Sequence, residues 1–226
     1  MFYKSKKDLK LREINEYKYN TDDSVEVKTE IAILGPSHIY NWRVNISNGN
    51  LSDPPFLLYG DVGMSIYSTA FKRFLDWWIL KLDRKAVLLV PDFRVGNPML
   101  GTLSKHEARF IDKDLISKIN DLELKLLSLK ILNEYRLLYG SKVKFVFWSL
   151  YAREQINIRK GKYLDQNNIY SHPYWNYSEY FNEFESCSID ISVIGNRILE
   201  LIEADDTVHP TLEGYSFLSD FIFKNT

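Results

Sequence analysis

A chain of 226 residues suits one large domain and is long enough to bury a sizeable core. Hydrophobic residues make up 45% and charged residues 26%, and the formal net charge is -1. That balance leaves no basic excess to hold a phosphate backbone and gives nucleic-acid binding no support. A single cysteine, Cys187, excludes an internal disulfide framework. No stretch approaches the ~18 consecutive apolar residues of a membrane span. The opening "MFYKSKKDLKLREINEYKY" has early lysines with no apolar run behind them. It does not read as a secretory leader, and the cytoplasm is the expected compartment.

Residues 1–29 are polar and carry the turn cluster "NTDDS", which suggests a peripheral lead-in with a short hairpin. Residues 30–226 read as a single α/β domain. "IAIL" is an apolar run of strand length, and "PPFLLYG" is a second, proline-flanked one. "STAFKRFLDWWILKLD" has apolar residues at helical spacing; its two tryptophans cannot both face one way, so one is expected at an interface. "AVLLV" is the clearest buried strand and stops at Pro91, which cannot donate to a central ladder. The segment from residue 104 to Gly140 is helix-friendly, as one helix or as two broken near residue 112, with Gly140 as its C-terminal stop. "KVKFVFWSL" is a further strand, and residues 151–188 read as an irregular, aromatic-rich insertion. "DISVIGNRILELIEA" and "TLEGYSFLSDFIF" are the last two helices.

Strands alternating with helices predict a three-layer α/β/α, flavodoxin-like fold around a mainly parallel sheet of about five strands. In such sheets ligands bind beyond the carboxyl ends of the strands. Ser37, the loops "GDVG" and "PDFRVGN", and the chain after Trp148 then share one edge.

Asp206 and His209 stand three apart in "ADDTVHPTLEGY". A carboxylate can orient an imidazole, which then takes a proton from a hydroxyl. The same loop read alone is a surface helix cap. Paired with Ser37 in "GPSH", directly after the first strand, it resembles the SGNH (GDSL-type) hydrolase superfamily over residues 31–222. The tail D-x-x-H-P-T-x-x-G-Y is the most specific part of the likeness. Pro36 stands where that family usually has the Asp of "GDS".

The resemblance implies Ser37 as nucleophile, His209 as its base and Asp206 as the orienting acid, with Asp205 as the competitor for that role. It also implies an oxyanion hole from the serine N–H, a glycine after the second strand and an asparagine after the third. Gly63, with Gly60 as alternative, and Asn97 are the candidates; Asp92 lies nearer the usual position, but a carboxylate would repel an oxyanion. Plain turn geometry is the competing account of the glycines. His38 matches the "GDSH" form of SGNH domains attached to membrane sugar O-acyltransferases. Neighbouring side chains on a turn point apart, so His38 is expected as a substrate-side wall or hydrogen-bonding residue, not as the base. Arg94 could hold an anionic substrate or an acyl donor's phosphate, or simply pair with Asp92 or Asp61. Tyr174 and Trp175, in an aromatic and amide-rich run from 163 to 184, could stack on sugar rings or fill a core.

The function expected is O-acyl transfer or ester hydrolysis through an acyl-Ser37 intermediate. The substrate is a small molecule or saccharide, in the manner of a carbohydrate O-acetyltransferase or acetylesterase. The alternative is a catalytically silent SGNH-like domain that binds a saccharide or a partner. No cofactor is required, although acyl-CoA is the expected donor for a transferase. Four histidines, including His106 and His172, show no H-E-x-x-H pattern, so no metal site is expected.

Overall fold

The computed structural model describes residues 29–60, 66, 69–90, 121–160, 176–203 and 208–226. Among these residues four strands form: β1 (Ile31–Gly35), β2 (Leu57–Gly60), β3 (Lys85–Leu89) and β4 (Val143–Val146). They lie in the order β2-β1-β3-β4, and every pair is parallel. In each of β1, β3 and β4 all but one residue is buried, as a parallel sheet covered on both faces requires, and Lys85 at the start of β3 and Lys144 within β4 are the charged residues among them. Helices flank the sheet, so the α/β class and its layering are as expected. Among the described residues the strand count is four, against about five expected. Beside β4 a fifth position is marked by the parallel bridge of Phe145 to Ser188 and the Ile189 N–H donated to Phe145 at 2.8 Å. Asp190 turns the chain away there: its carboxylate accepts from the Ser192 N–H at 2.9 Å and caps the next helix.

Helix α1 (Ser37–Ser47) follows β1 directly and was not foreseen. Its sequence, SHIYNWRVNIS, is rich in weak helix formers. Burial of His38, Ile39 and Trp42 overrides that propensity. The carbonyl of Pro36 accepts from the N–H groups of both Ile39 and Tyr40, which starts the first turn. Helix α2 (Thr69–Leu75) runs into a wider π turn at Asp76–Lys81. The two tryptophans of that turn do part company: Trp78 is fully buried and donates its indole N–H to Lys85 at 2.6 Å, while Trp77 is half-buried. Helix α3 (Asp121–Tyr139) stops at Gly140, whose φ of 57° is the left-handed stop that the glycine predicts.

Two corrections follow β4. Residues 151–188 are not irregular throughout: α4 (Trp148–Lys160) and α5 (Tyr177–Glu183) occupy much of the described part. The run "AREQ" with its later Arg and Lys is ordinary helix-forming sequence that the surrounding aromatics obscured. The segment Ile191–Glu200 forms 3-10 turns instead of an α-helix, because Gly195 (φ 56°, ψ -144°) breaks it. Helix α6 (Leu212–Asn225) ends the chain as expected.

Among the described residues most aromatic side chains are buried. Trp42, Trp78, Trp148, Tyr135, Tyr180 and Tyr215 are among the largest fully buried side chains. No helix among the described residues is long and apolar enough to cross a membrane.

Candidate active site

The chain leaves β1 for β2 on one side and later returns to β3 on the other. The carboxyl ends of β1 and β3 therefore form the point where the winding reverses, the usual ligand crevice of an open α/β sheet. Ser37 is the first residue of α1, at that end of β1. Its placement depends on close backbone approach. Gly35 and Gly60 are register partners, and a Cβ on Gly60 would lie 2.0 Å from the Gly35 carbonyl oxygen and 2.8 Å from Ile39 Cβ. Only glycine lets the first turn of α1 settle there. Arg43 of α1 donates to the Gly60 carbonyl at 2.8 Å and ties the helix to the end of β2.

His209 arrives from the other end of the chain. Ile202 and Pro210 form an antiparallel bridge; the Glu203 N–H donates to the His209 carbonyl at 2.8 Å, and the Thr211 N–H to Leu201 at 2.9 Å. Residues 201–203 and 209–211 are thus tied to each other. Each fixed residue of "H-P-T-x-x-G-Y" has a structural task. Thr211 caps α6 by accepting from the Gly214 N–H at 3.1 Å. A Cβ on Gly214 would lie 2.1 Å from the Leu201 carbonyl. Tyr215 donates its hydroxyl to the His38 carbonyl at 3.0 Å. The tail thereby fastens the His209 loop to the residue beside Ser37.

The two ends meet: Ser37 Oγ lies 2.8 Å from His209 Nε2, with both residues half-buried. A hydroxyl and an imidazole at this distance can exchange a proton. The ring of His38 lies beside that of His209, with centroids 4.6 Å apart. It is 5% exposed, and its Nε2 faces Val208 O and Ser149 Oγ, each at 3.2 Å. Of the roles expected for His38, this is the hydrogen-bonding one, turned to the interior and away from a substrate-side wall. Burial above all, then the neighbouring His209 and Arg153, push its proton affinity down to about 3, so the ring is neutral at ordinary pH. Val208 takes a φ of 55°, a conformation that strains a β-branched residue by about 1–3 kcal/mol. Its carbonyl also accepts from the indole N–H of Trp148 at 3.0 Å.

Gly60 ends β2 and has the packing reason for being glycine given above, in place of simple turn geometry. Asp206, Asp205, Gly63, Asn97, Arg94, Tyr174 and Trp175 lie outside the described residues, as do Asp61, Asp92, His106 and His172. Of the aromatic run 163–184, the described portion is largely core: Tyr177, Tyr180 and Phe184 are buried. Sequence reading put the chain after Trp148 on the edge of Ser37 without singling out Trp148 or Ser149, and it missed Val208 and Tyr215 as neighbours of the pair. Trp148 and Ser149 lie two and three residues past the end of β4, where the strand-end rule points. A positive φ at valine carries no sequence signal. Among the described residues no group of His, Cys, Asp and Glu is arranged to hold a metal ion. No known family's profile matches the chain, and no curated protein matches it by sequence.

Proposed function

We propose that the protein moves or hydrolyses an O-acyl group through an acyl-Ser37 intermediate, with His209 as general base and acid. The observation that carries this reading is the 2.8 Å contact between Ser37 Oγ and His209 Nε2 at the reversal point of the sheet. A neutral serine hydroxyl is a poor nucleophile, and a base in hydrogen-bond contact is what activates it. In the first step His209 accepts the Ser37 proton as Oγ bonds to the acyl carbon. The tetrahedral oxyanion collapses, the ester oxygen leaves with the proton from His209, and acyl-Ser37 remains. Water or a sugar hydroxyl then gives its proton to His209 and attacks the acyl carbon, and Ser37 recovers its proton from His209.

Ser37 is well placed to stabilise the oxyanion with its own backbone. Its N–H lies in the first turn of α1, where helix N–H groups have no acceptor inside the helix and the helix dipole favours negative charge. Gly63 and Asn97 are the proposed further donors, each worth a few kcal/mol of transition-state stabilisation. Asp206 is the proposed orienting acid. His38 is not the base, because its Nε2 is turned to the Val208 carbonyl. The saccharide preference rests on the SGNH resemblance and on Tyr174 and Trp175; acyl-CoA is the donor if a sugar hydroxyl is the acceptor.

Ser37→Ala and His209→Ala are each expected to lower turnover of a short acyl ester by about 1,000-fold or more, with the folded circular-dichroism spectrum retained. A fluorophosphonate should label Ser37 in the unaltered protein and not in Ser37→Ala. Full turnover in either variant would remove the mechanism.

A further inference from the structure

We infer that His38 is a positioning residue for the pair: together with Trp148 it clamps the carbonyl of Val208 and so fixes the backbone from which His209 reaches Ser37. The inference rests on reading Ser37 and His209 as nucleophile and base.

Two adjacent residues of one segment meet two adjacent residues of the other. Ser37 bonds to His209, and His38 bonds to Val208, so the contact has two rungs. The second rung has a defined polarity. A carbonyl only accepts, so His38 Nε2 must carry the ring proton. A neutral imidazole has one such proton, which leaves Nδ1 bare, and the Ser149 oxygen is then a second acceptor near Nε2. Among the described residues Nδ1 has no donor facing it. A polar ring buried with one nitrogen unsatisfied is a poor core filler. What it supplies is the Nε2–H.

That donor is needed because Val208 is strained. A valine in left-handed backbone persists only where its surroundings over-determine it. Here its side chain is 1% exposed, and its carbonyl is held by two ring N–H groups, from Trp148 at 3.0 Å and His38 at 3.2 Å. His38 is itself anchored, since its own carbonyl accepts from Tyr215. Gaining a second proton would place a cation in the interior facing His209 and Arg153. The clamp therefore stays closed while His209 gains and loses its proton during turnover.

The test compares His38→Gln, which keeps an N–H donor at similar reach, with His38→Leu, which fills the space without one. Kinetics are read on p-nitrophenyl acetate, and the His209 ring is followed by long-range proton–nitrogen NMR. In His38→Leu, kcat is expected to fall about 100-fold with KM within about threefold, the loss typical of a reacting group displaced by about 1 Å. The His209 ring signals should move toward their positions in Ser37→Ala. His38→Gln should recover most of the loss. Unchanged kcat and unchanged His209 signals in a folded His38→Leu protein would overturn the inference while leaving the serine mechanism standing. Should the unaltered protein neither turn over the ester nor label with a fluorophosphonate, the serine mechanism fails. The clamp is then decided by the His209 signals alone, displacement in His38→Leu sustaining it and constancy overturning it. Should His38→Leu not fold, the unaltered protein decides: an Nε2–H tautomer for His38 sustains the clamp and an Nδ1–H tautomer overturns it.

Discussion

Ser37 hangs on the end of a buried strand, where the glycine pair Gly35 and Gly60 lets the first turn of α1 settle onto the sheet. His209 is reached through Val208, a strained residue held by side chains from α1 and α4. The serine is placed by covalent continuity with the core of the fold. The histidine is placed by hydrogen bonds that can be lost one at a time. Damage at the serine end should therefore appear first as lost stability, and damage at the histidine end first as lost alignment.

The sharpest way to break this contrast is Gly60→Ala. The added Cβ meets backbone and cannot be relieved by a rotamer change. Unfolding in urea should show a loss of about 3 kcal/mol, toward the upper range of overpacking effects. A loss below about 0.5 kcal/mol would show that close backbone approach does not place the serine.

At the histidine end, pH provides the next probe. His38 is lowered from 6.5 to about 3 in the folded protein, so between those values the unfolded chain binds the extra proton. Its contribution to stability is full above pH 6.5 and is lost as pH falls toward 3. The slope in that window is up to about 1.4 kcal/mol per pH unit. Urea midpoints from pH 7 to pH 5 should fall less steeply in His38→Gln than in the unaltered protein. Parallel curves would mean that His38 is not held neutral.

The smallest expected effect is that of Thr211→Ala, which removes the cap of α6 and should cost about 1 kcal/mol. The thermal midpoint should fall by a few degrees, and kcat should change less than in His38→Leu. A larger kinetic effect than that of His38→Leu would move the control of His209 from the clamp to the helix start.

The strands were legible because β1 and β3 are built on apolar runs four residues long and β4 carries a single lysine, Lys144, among buried apolar residues, the near-continuous pattern that parallel sheets demand. Helix α1 was not, since tertiary burial of Ile39 and Trp42 decides it against local propensity. The penultimate helix failed at Gly195, a single residue whose backbone angle outweighs the pattern around it. That Ser37 and His209 meet could be read from the tail motif, because Thr211, Gly214 and Tyr215 are fastening residues with specific partners. The clamp could not be read, because it depends on where two rings point and on a backbone angle at a valine.

The bond between Ser37 and His209 closes a sequence separation of 172 residues, and that between Tyr215 and His38 one of 177. Contacts of such range form slowly, because the intervening chain must be ordered before they repay its entropy. During synthesis the sheet strands and Ser37 emerge long before the segment that carries His209. For most of that interval the serine stands without its partner. Formation of the pair is thus a late event, and under the proposed serine mechanism reactivity at Ser37 would be a chemical report that α6 has docked.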